Sequence, residues 1–371
     1  MALSIPPPLG IAAIAVHEPA WRLDNAWFGD TMPRKFAHHT GIESRGVSPV
    51  DEVTMGLAAV RALQRETGCR LADCRGIMLV SPSFIPAAVA RRHLTAEAVA
   101  AERPGAAARQ LVARLGLTAC RAVGINWFCC GFSRGLELVH RRWAPRLGLR
   151  SHEFVLVVVA TRISRITDYG CRQTAGLFGD MASATLVTTT ANRRHPVHFE
   201  ILHARAEKQS ADRPAFDFHV GHDVPVPGPR GGHQQAAERL VYSLDGMAIA
   251  ELAPRAMAAA TAAALAATKL APADVDFVVP HQAGTGIVRF TGMQLDSLGI
   301  RGELVNGLVA RTGNVSACSV PHALRQTWPR LTGLVACPTA AVGSPGRPEV
   351  LQGCVLLRAT PHHARQPGVA A

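Results

Sequence analysis

The order of elements in this chain occurs twice, and that repetition limits the folds open to it more than any other feature. Lys269-Leu-Ala-Pro-Ala-Asp-Val-Asp-Phe-Val-Val-Pro280 parallels Arg70-Leu-Ala-Asp-Cys-Arg-Gly-Ile-Met-Leu-Val80, each reading as a helix end, a turn and a buried strand. Arg311 to Leu324 parallels Ile125 to Glu137, and Val350 to Thr360 parallels Phe154 to Thr161, all at offsets of roughly 185 to 200 residues. Runs apolar at every position, such as Phe154-Val-Leu-Val-Val-Val-Ala160, suit strands buried on both faces. Stretches of helical periodicity, such as Asp51 to Arg65, lie between them. The expectation is an α/β protein of two duplicated halves, residues 1–195 and 196–371, with helices covering mixed sheets and like elements meeting near a pseudo-two-fold axis. The segment 204–240, rich in Pro, Gly, His and charge around Val224-Pro-Val-Pro-Gly-Pro-Arg-Gly-Gly232, reads as a long loop or insertion and a candidate lid.

With 371 residues, 48% of them hydrophobic, the chain can bury a large core. No uninterrupted apolar run approaches the roughly 18 to 20 residues of a membrane span, and Met1-Ala-Leu-Ser-Ile-Pro-Pro-Pro lacks the basic region and cleavage site of a signal peptide. Cytoplasm is the default compartment. Nine cysteines, unevenly spaced and without a CxxC pair, argue for free thiols and against disulfides or a metal site. The net charge of +12, nearly all from Arg, suits a phosphate-bearing cofactor or an acidic carrier protein. Nucleic acid is disfavoured because only 5% of residues are aromatic and no basic segment is interleaved with stacking side chains. The densest basic run, Arg134 with His140, Arg141, Arg142, Arg146 and Arg150, is either a solvated helix face or a docking surface.

Ile125-Asn-Trp-Phe-Cys-Cys-Gly-Phe-Ser-Arg-Gly-Leu-Glu137 reads as a strand entering a helix with thiols at the join. A helix N-terminus favours anions, so a cysteine there is expected to have its thiolate favoured, although free cysteine also commonly packs. Cys129 or Cys130 would come from the first half. The second would supply His281, in Val279-Pro-His-Gln-Ala-Gly284, and Asn314, in Thr312-Gly-Asn-Val-Ser-Ala317. Singly, such a His is often structural and such an Asn often a turn former. Jointly they suit acyl transfer, in which sulfur attacks a thioester and the imidazole and amide stabilise a later oxyanion.

Cys129-Cys-Gly-Phe132, Leu177-Phe-Gly-Asp180, Pro280-His-Gln-Ala283 and Gly313-Asn-Val-Ser-Ala317, with Thr40-Gly-Ile-Glu-Ser-Arg45 and Leu244-Asp-Gly-Met247, closely resemble the β-ketoacyl-acyl-carrier-protein synthase III group of the thiolase superfamily. The likeness spans about residues 10 to 360. It implies a thiolase-like fold of five layers, α-β-α-β-α, and a homodimer without a tightly bound cofactor. It also implies Cys129 as nucleophile. An acyl group would pass from coenzyme A or an acidic acyl carrier protein to Cys129 and then condense with a malonyl or β-ketoacyl thioester. His281 and Asn314 would stabilise the enolate, and the Cys129 N–H would be one oxyanion donor. Cys130, Phe132 and His362 are expected at the oxyanion site or pocket wall, with Asp180 as a structural turn residue.

Several positions depart from the family pattern. Where a glycine-rich turn is expected to supply a second oxyanion N–H, the sequence presents Pro361 and His362. The family's adenine-stacking tryptophan is replaced by Lys35, with Phe36 adjacent and His39 in a usual arginine slot; Arg172 matches a family arginine. Lys35, Phe36, His39 and Arg172 are therefore the expected cofactor-binding residues. The alternatives are acyl transfer to an alcohol or amine, and a silent partner of an active homologue.

Overall fold

The computed structural model describes residues 8–228 and 232–363. Its first half runs through β1 (Leu9–His17), β2 (Trp21–Asp24), α1 (Phe36–Thr40), β3 (Ser44–Val47), α2 (Glu52–Thr67), β4 (Cys74–Val80), α3 (Ala87–His93), α4 (Ala96–Ala101) and α5 (Pro104–Arg114). There follow β5 (Arg121–Ile125), α6 (Gly131–Leu138), α7 (Ala144–Leu147), β6 (Phe154–Thr161) and β7 (Met181–Thr189). The second half has β8 (Phe199–Ser210), β9 (Phe216–Pro227), β10 (His233–Leu244), α8 (Gly246–Thr268), β11 (Val275–Val278) and α9 (Thr285–Ser297). It closes with β12 (Glu303–Leu304), α10 (Ser319–Thr327), β13 (Leu334–Val342) and β14 (Glu349–Ala359).

Ten strands are hydrogen-bonded in the order β12-β11-β13-β14-β8-β1-β7-β6-β4-β5. This array divides into two mixed sheets of identical internal order. Numbered within its own half, each set of five strands reads 3-2-4-5-1, and the sheets join where Gly10 and Ile11 of β1 pair with Glu200 and Phe199 of β8. Helices α2 and α5 cover the outer face of the first sheet, and α8 with α9 covers that of the second. Between the sheets lie α6 and α10, which completes five layers. The continuous apolarity of β6 follows from its position. Val155, Val157 and Val159 point into the central core, whereas Phe154, Leu156, Val158 and Ala160 face the outer helices.

Two expectations need correction. Apolarity pairs Val350–Thr360 with Phe154–Thr161, but in the sheet order the counterpart of β6 is β13, and β14 answers to β7. Neighbouring buried strands have the same composition, so apolar content cannot assign their register. The segment 204–240 is also not a loop: it completes β8 and then forms most of a long two-stranded hairpin, β9–β10, with Phe216↔Leu244 at its base and Pro227↔His233 near its tip. Alternation of Phe216 and Phe218 with polar neighbours is the strand signal, and the prolines are tolerated because an isolated pair has free outer edges. Residues 229–231 of the Pro/Gly stretch lie outside the described residues.

Helix α8 is long and apolar enough to cross a membrane by length and composition, yet Ala258, Ala260, Ala264 and Leu265 pack into the core of the second sheet. All nine cysteines are free.

Asp180 is a structural clamp. Its carboxylate accepts the Ser48 N–H (2.7 Å), the Ser164 N–H (3.0 Å) and the Ser164 hydroxyl (2.5 Å), tying the segment after β3 to the start of β7. Asp180→Ala would leave two buried amides unpartnered, so a loss of roughly 3 kcal/mol is expected in urea unfolding. A loss below about 1 kcal/mol would mean that water replaces the carboxylate.

Candidate active site

The site sits at the carboxyl ends of parallel strands β5 and β11, where α/β sheets commonly present functional groups. After β5, Asn126 accepts the Phe128 N–H on Oδ1 (3.0 Å) and donates through Nδ2 to the Phe84 carbonyl (2.7 Å), while Phe128 is held at φ 43°. The second half repeats the first part of this device: Asn314 Oδ1 accepts the Ser316 N–H (2.8 Å), and Ser316 has φ 49°. Both pairs are 188 residues apart (314 − 126 and 316 − 128), so the counterpart of Asn314 is Asn126, and that of Cys129 is Ala317. Each left-handed non-glycine residue costs about 1–3 kcal/mol, a strain that surrounding contacts must hold. Leu177-Phe-Gly-Asp180 braces Asn314, whose N–H donates to the Leu177 carbonyl and whose carbonyl accepts the Gly179 N–H.

His281 follows β11 and is 2% exposed, with its backbone N–H donating to the Pro338 carbonyl at 2.9 Å. Its Nδ1 lies 2.5 Å from Ser319 Oγ, and that oxygen also accepts the Gln282 N–H at 3.2 Å. Burial lowers the His281 pKa to about 4, so the ring is neutral at pH 7.

Cys129 Sγ is 3.3 Å from Ser316 Oγ. Burial pushes its thiol up to about 11, with Ser316 only partly opposing the shift. Desolvation thus opposes, in the unliganded site, the thiolate preference expected from the helix end. Iodoacetamide labelling of Cys129, followed by peptide mapping, is expected to rise about tenfold per pH unit between about pH 7 and 10. A plateau below about pH 8 would reveal a stabilised thiolate. Cys120, lowered chiefly by its hydrogen bond with Cys74, should label first.

Cys129, His281 and Asn314 all line one cavity of about 380 Å³. His39, Thr40 and Gln173 line it as well. The other expected residues separate. Cys130 is buried among Ala206, Ala341 and Leu351, with its thiol pushed up by burial, and packs behind Cys129. Phe132 belongs to the central core and is not among the cavity-lining residues, because three positions after Cys129 the helix faces between the sheets. Phe36 is buried with Ile42 and Val309 beneath the Arg45 guanidinium, which lies 5.9 Å from the ring centre, so it offers no stacking platform. Lys35 is exposed at the start of α1, and Arg172 is exposed with Nη1 donating to the Asp30 carbonyl at 3.0 Å. Neither lines the cavity.

His362 is not at the site. Its ring lies 6.2 Å from that of His198, beyond the far end of the eleven-residue β14, roughly 34 Å along the strand from the cavity-lining Glu349. The turn that reaches the cavity is instead Val342–Pro348, between β13 and β14. It keeps Gly343, where a Cβ would collide with the Glu349 carbonyl oxygen, and Gly346 at φ 66°. Sequence reasoning also missed Ser316 and Ser319, although they follow Asn314 at fixed short spacing. Of the basic run, Arg134 lies over the Trp127 ring at 4.7 Å and pairs with Glu137 at 2.7 Å, and Arg141 pairs with the same carboxylate.

The family model described as 3-oxoacyl-[acyl-carrier-protein] synthase III matches residues 124–206, and the one for the C-terminal part of the same enzymes matches 265–331. β-Ketoacyl-[acyl-carrier-protein] synthase III 2 of Vibrio cholerae serotype O1 is 31% identical over 303 residues, covering 81% of this chain and 74% of that protein. The priming β-ketosynthase of the R1128 polyketide biosynthetic pathway shares the fold with a TM-score of 0.67 at 21% identity, over 97% of this chain and 100% of that one. The 3-oxoacyl-(acyl carrier protein) synthase III of Pseudomonas aeruginosa PAO1 gives 0.66 at 21%, over 95% and 100%.

Proposed function

Because the chain belongs to the 3-oxoacyl-[acyl-carrier-protein] synthase III family of acyltransferases, we propose that it loads an acyl group onto Cys129 and condenses it with a malonyl thioester, releasing CO2. The observation that carries this reading is the presence of Cys129, a neutral His281 and Asn314 on one cavity. The acyl donor is a coenzyme A or carrier-protein thioester. The net charge of +12 suits either a phosphate-bearing or an acidic carrier. His39 and Gln173, which line the cavity and are exposed, are the residues assigned to the entering thioester arm. The active unit is a homodimer, for which the edge strand β5 offers unpaired backbone groups.

In the first half-reaction the Cys129 sulfur, having lost its proton, attacks the thioester carbonyl. The tetrahedral oxyanion collapses with expulsion of the carrier thiolate, which takes up a proton. The Cys129 N–H and the Val342–Gly343 turn are the proposed oxyanion donors. In the second, the malonyl thioester loses CO2 and its electron pair becomes an enolate. Ser319 Oγ accepts the Gln282 N–H, and its hydroxyl donates a hydrogen bond to His281 Nδ1 in the tautomer that carries the hydrogen of the neutral ring on Nε2, where it is a donor to the enolate oxygen. Asn314 spends Oδ1 on the Ser316 N–H and keeps its amide hydrogens for the same oxygen. The enolate carbon then attacks the acyl-enzyme, forms the new C–C bond and releases Cys129.

The test supplies an acyl thioester together with carboxyl-labelled malonyl thioester. Labelled CO2 and a β-ketoacyl product in equal amounts are expected. Acyl transfer to an added alcohol or amine without CO2 would replace the condensation, and no adduct on Cys129 would make the chain a silent partner.

A further inference from the structure

We propose that the acyl group carried by Cys129 is bulky and wholly apolar, a medium-length alkyl or aryl chain, and that it lies in the aromatic arm of the cavity at the base of the β9–β10 hairpin. This inference rests on the acyl-loading reading above and adds the substrate class to it. Besides the exposed His39 and Gln173, the residues lining the cavity include Phe128, Ile163, Ile166, Phe178, Phe216 and Tyr242. Phe128 stands edge-on to Phe216 at 5.2 Å and 71°, and Phe178 edge-on to Tyr242 at 5.6 Å and 87°, so the rings form a rigid apolar end next to the nucleophile's own neighbour. The Tyr242 hydroxyl is paired with Thr167 Oγ1 at 3.5 Å. The one carboxylate among the described residues of the wall, Glu349, is held by Lys208 and Ser344.

Size points the same way. At about 30 Å³ per water-sized group, a cavity of about 380 Å³ has room for roughly a dozen such groups. The thiol end of an incoming carrier arm fills only part of this, and an acetyl group would leave the aromatic arm empty. The hairpin supplies Phe216 and Tyr242, and the turn between β13 and β14, whose Val342 lines the cavity, is fastened to its base by the Gly346 N–H on the Phe216 carbonyl at 2.9 Å. The hairpin therefore shapes the acyl site. A charged chain end in this arm would be desolvated without a partner, which excludes dicarboxylic acyl groups.

The experiment compares acetyl-, butyryl-, hexanoyl-, octanoyl- and adipoyl-coenzyme A at subsaturating concentration and reads initial loading of Cys129 by intact-protein mass. Each buried methylene is expected to raise the rate up to about fourfold, so octanoyl should exceed acetyl by at least about thirtyfold. Adipoyl should fall at least about thirtyfold below hexanoyl, which has the same chain length. Ala215→Leu, which fills the arm beside Phe216, is expected to lower the octanoyl-to-acetyl ratio about tenfold. Acetyl loading as fast as hexanoyl, adipoyl matching hexanoyl, or an unchanged ratio in the variant would each overturn the proposal while leaving acyl loading intact. Loading of none of the five acyl groups, whether offered on coenzyme A or on an acyl carrier protein, would overturn the acyl-enzyme reading itself, and this inference with it.

Discussion

Cys129→Ala is expected to abolish the acyl adduct seen by intact-protein mass and to lower condensation by at least about a thousandfold, since Cys129 is the one thiol among the described cavity-lining residues. Cys130 cannot take over. Its thiol is fully buried, is raised further than that of Cys129, and packs among Ala206, Ala341 and Leu351. The substitution removes one sulfur and its contact with Ser316, a change of about 1 kcal/mol in stability, so the fold should persist and the loss can be read as chemical. His281 and Asn314 remain in place in this variant. Slow decarboxylation of a malonyl thioester should therefore continue without C–C bond formation. An adduct persisting on the alanine variant would assign the nucleophile to another of the nine cysteines.

Much of this arrangement is legible in the sequence because the chemistry is attached to strand ends, and strand ends are marked by apolar runs meeting Pro, Gly or Asn. His281 directly follows such a run, and Asn314 stands after Gly313, whose φ of 65° the turn requires. What the sequence hides is register between similar elements. Val350–Thr360 and Leu334–Val342 are both continuous apolar strands, and choosing the wrong one as the mate of Phe154–Thr161 moves the cavity-facing turn from Gly343 to Pro361 and His362. The same limitation hides Asn126. In the first half its amide is engaged by the Phe84 carbonyl, whereas Asn314 lines the cavity; one duplicated turn braces its surroundings and the other faces the site. Burial is hidden as well. A helix start suggests a stabilised thiolate, but only the packed surroundings show that desolvation holds Cys129 neutral before substrate enters.

His281→Ala is expected to give the converse defect: Cys129 still takes up its acyl group, but decarboxylation and condensation fall together by about a hundredfold to a thousandfold, the range for removing one donor to a developing oxyanion. The separation follows from where charge develops. In the proposed mechanism the first half-reaction places its oxyanion on the carbonyl attacked by Cys129, whereas the enolate of the second is the one assigned to His281 and Asn314, both on the cavity. Asn314→Asp is the isosteric companion. It keeps an oxygen for the Ser316 N–H and replaces the donating amide with an acceptor, so it should reproduce the His281→Ala pattern with less disturbance of packing. The pH profile adds a sign. With His281 lowered to about 4, the neutral donor is the populated form throughout about pH 5 to 8, and protonation removes it only as pH falls through about 4. Decarboxylation by the wild type should therefore show no inflection from this ring between about pH 5 and 8. An inflection near 6.5 that vanishes in His281→Ala would mean the ring is solvated and titrates when substrate is bound. Equal loss of loading and decarboxylation in both variants would mean that His281 and Asn314 serve the first oxyanion too, and the division of labour between the two halves of the chain would have to be given up.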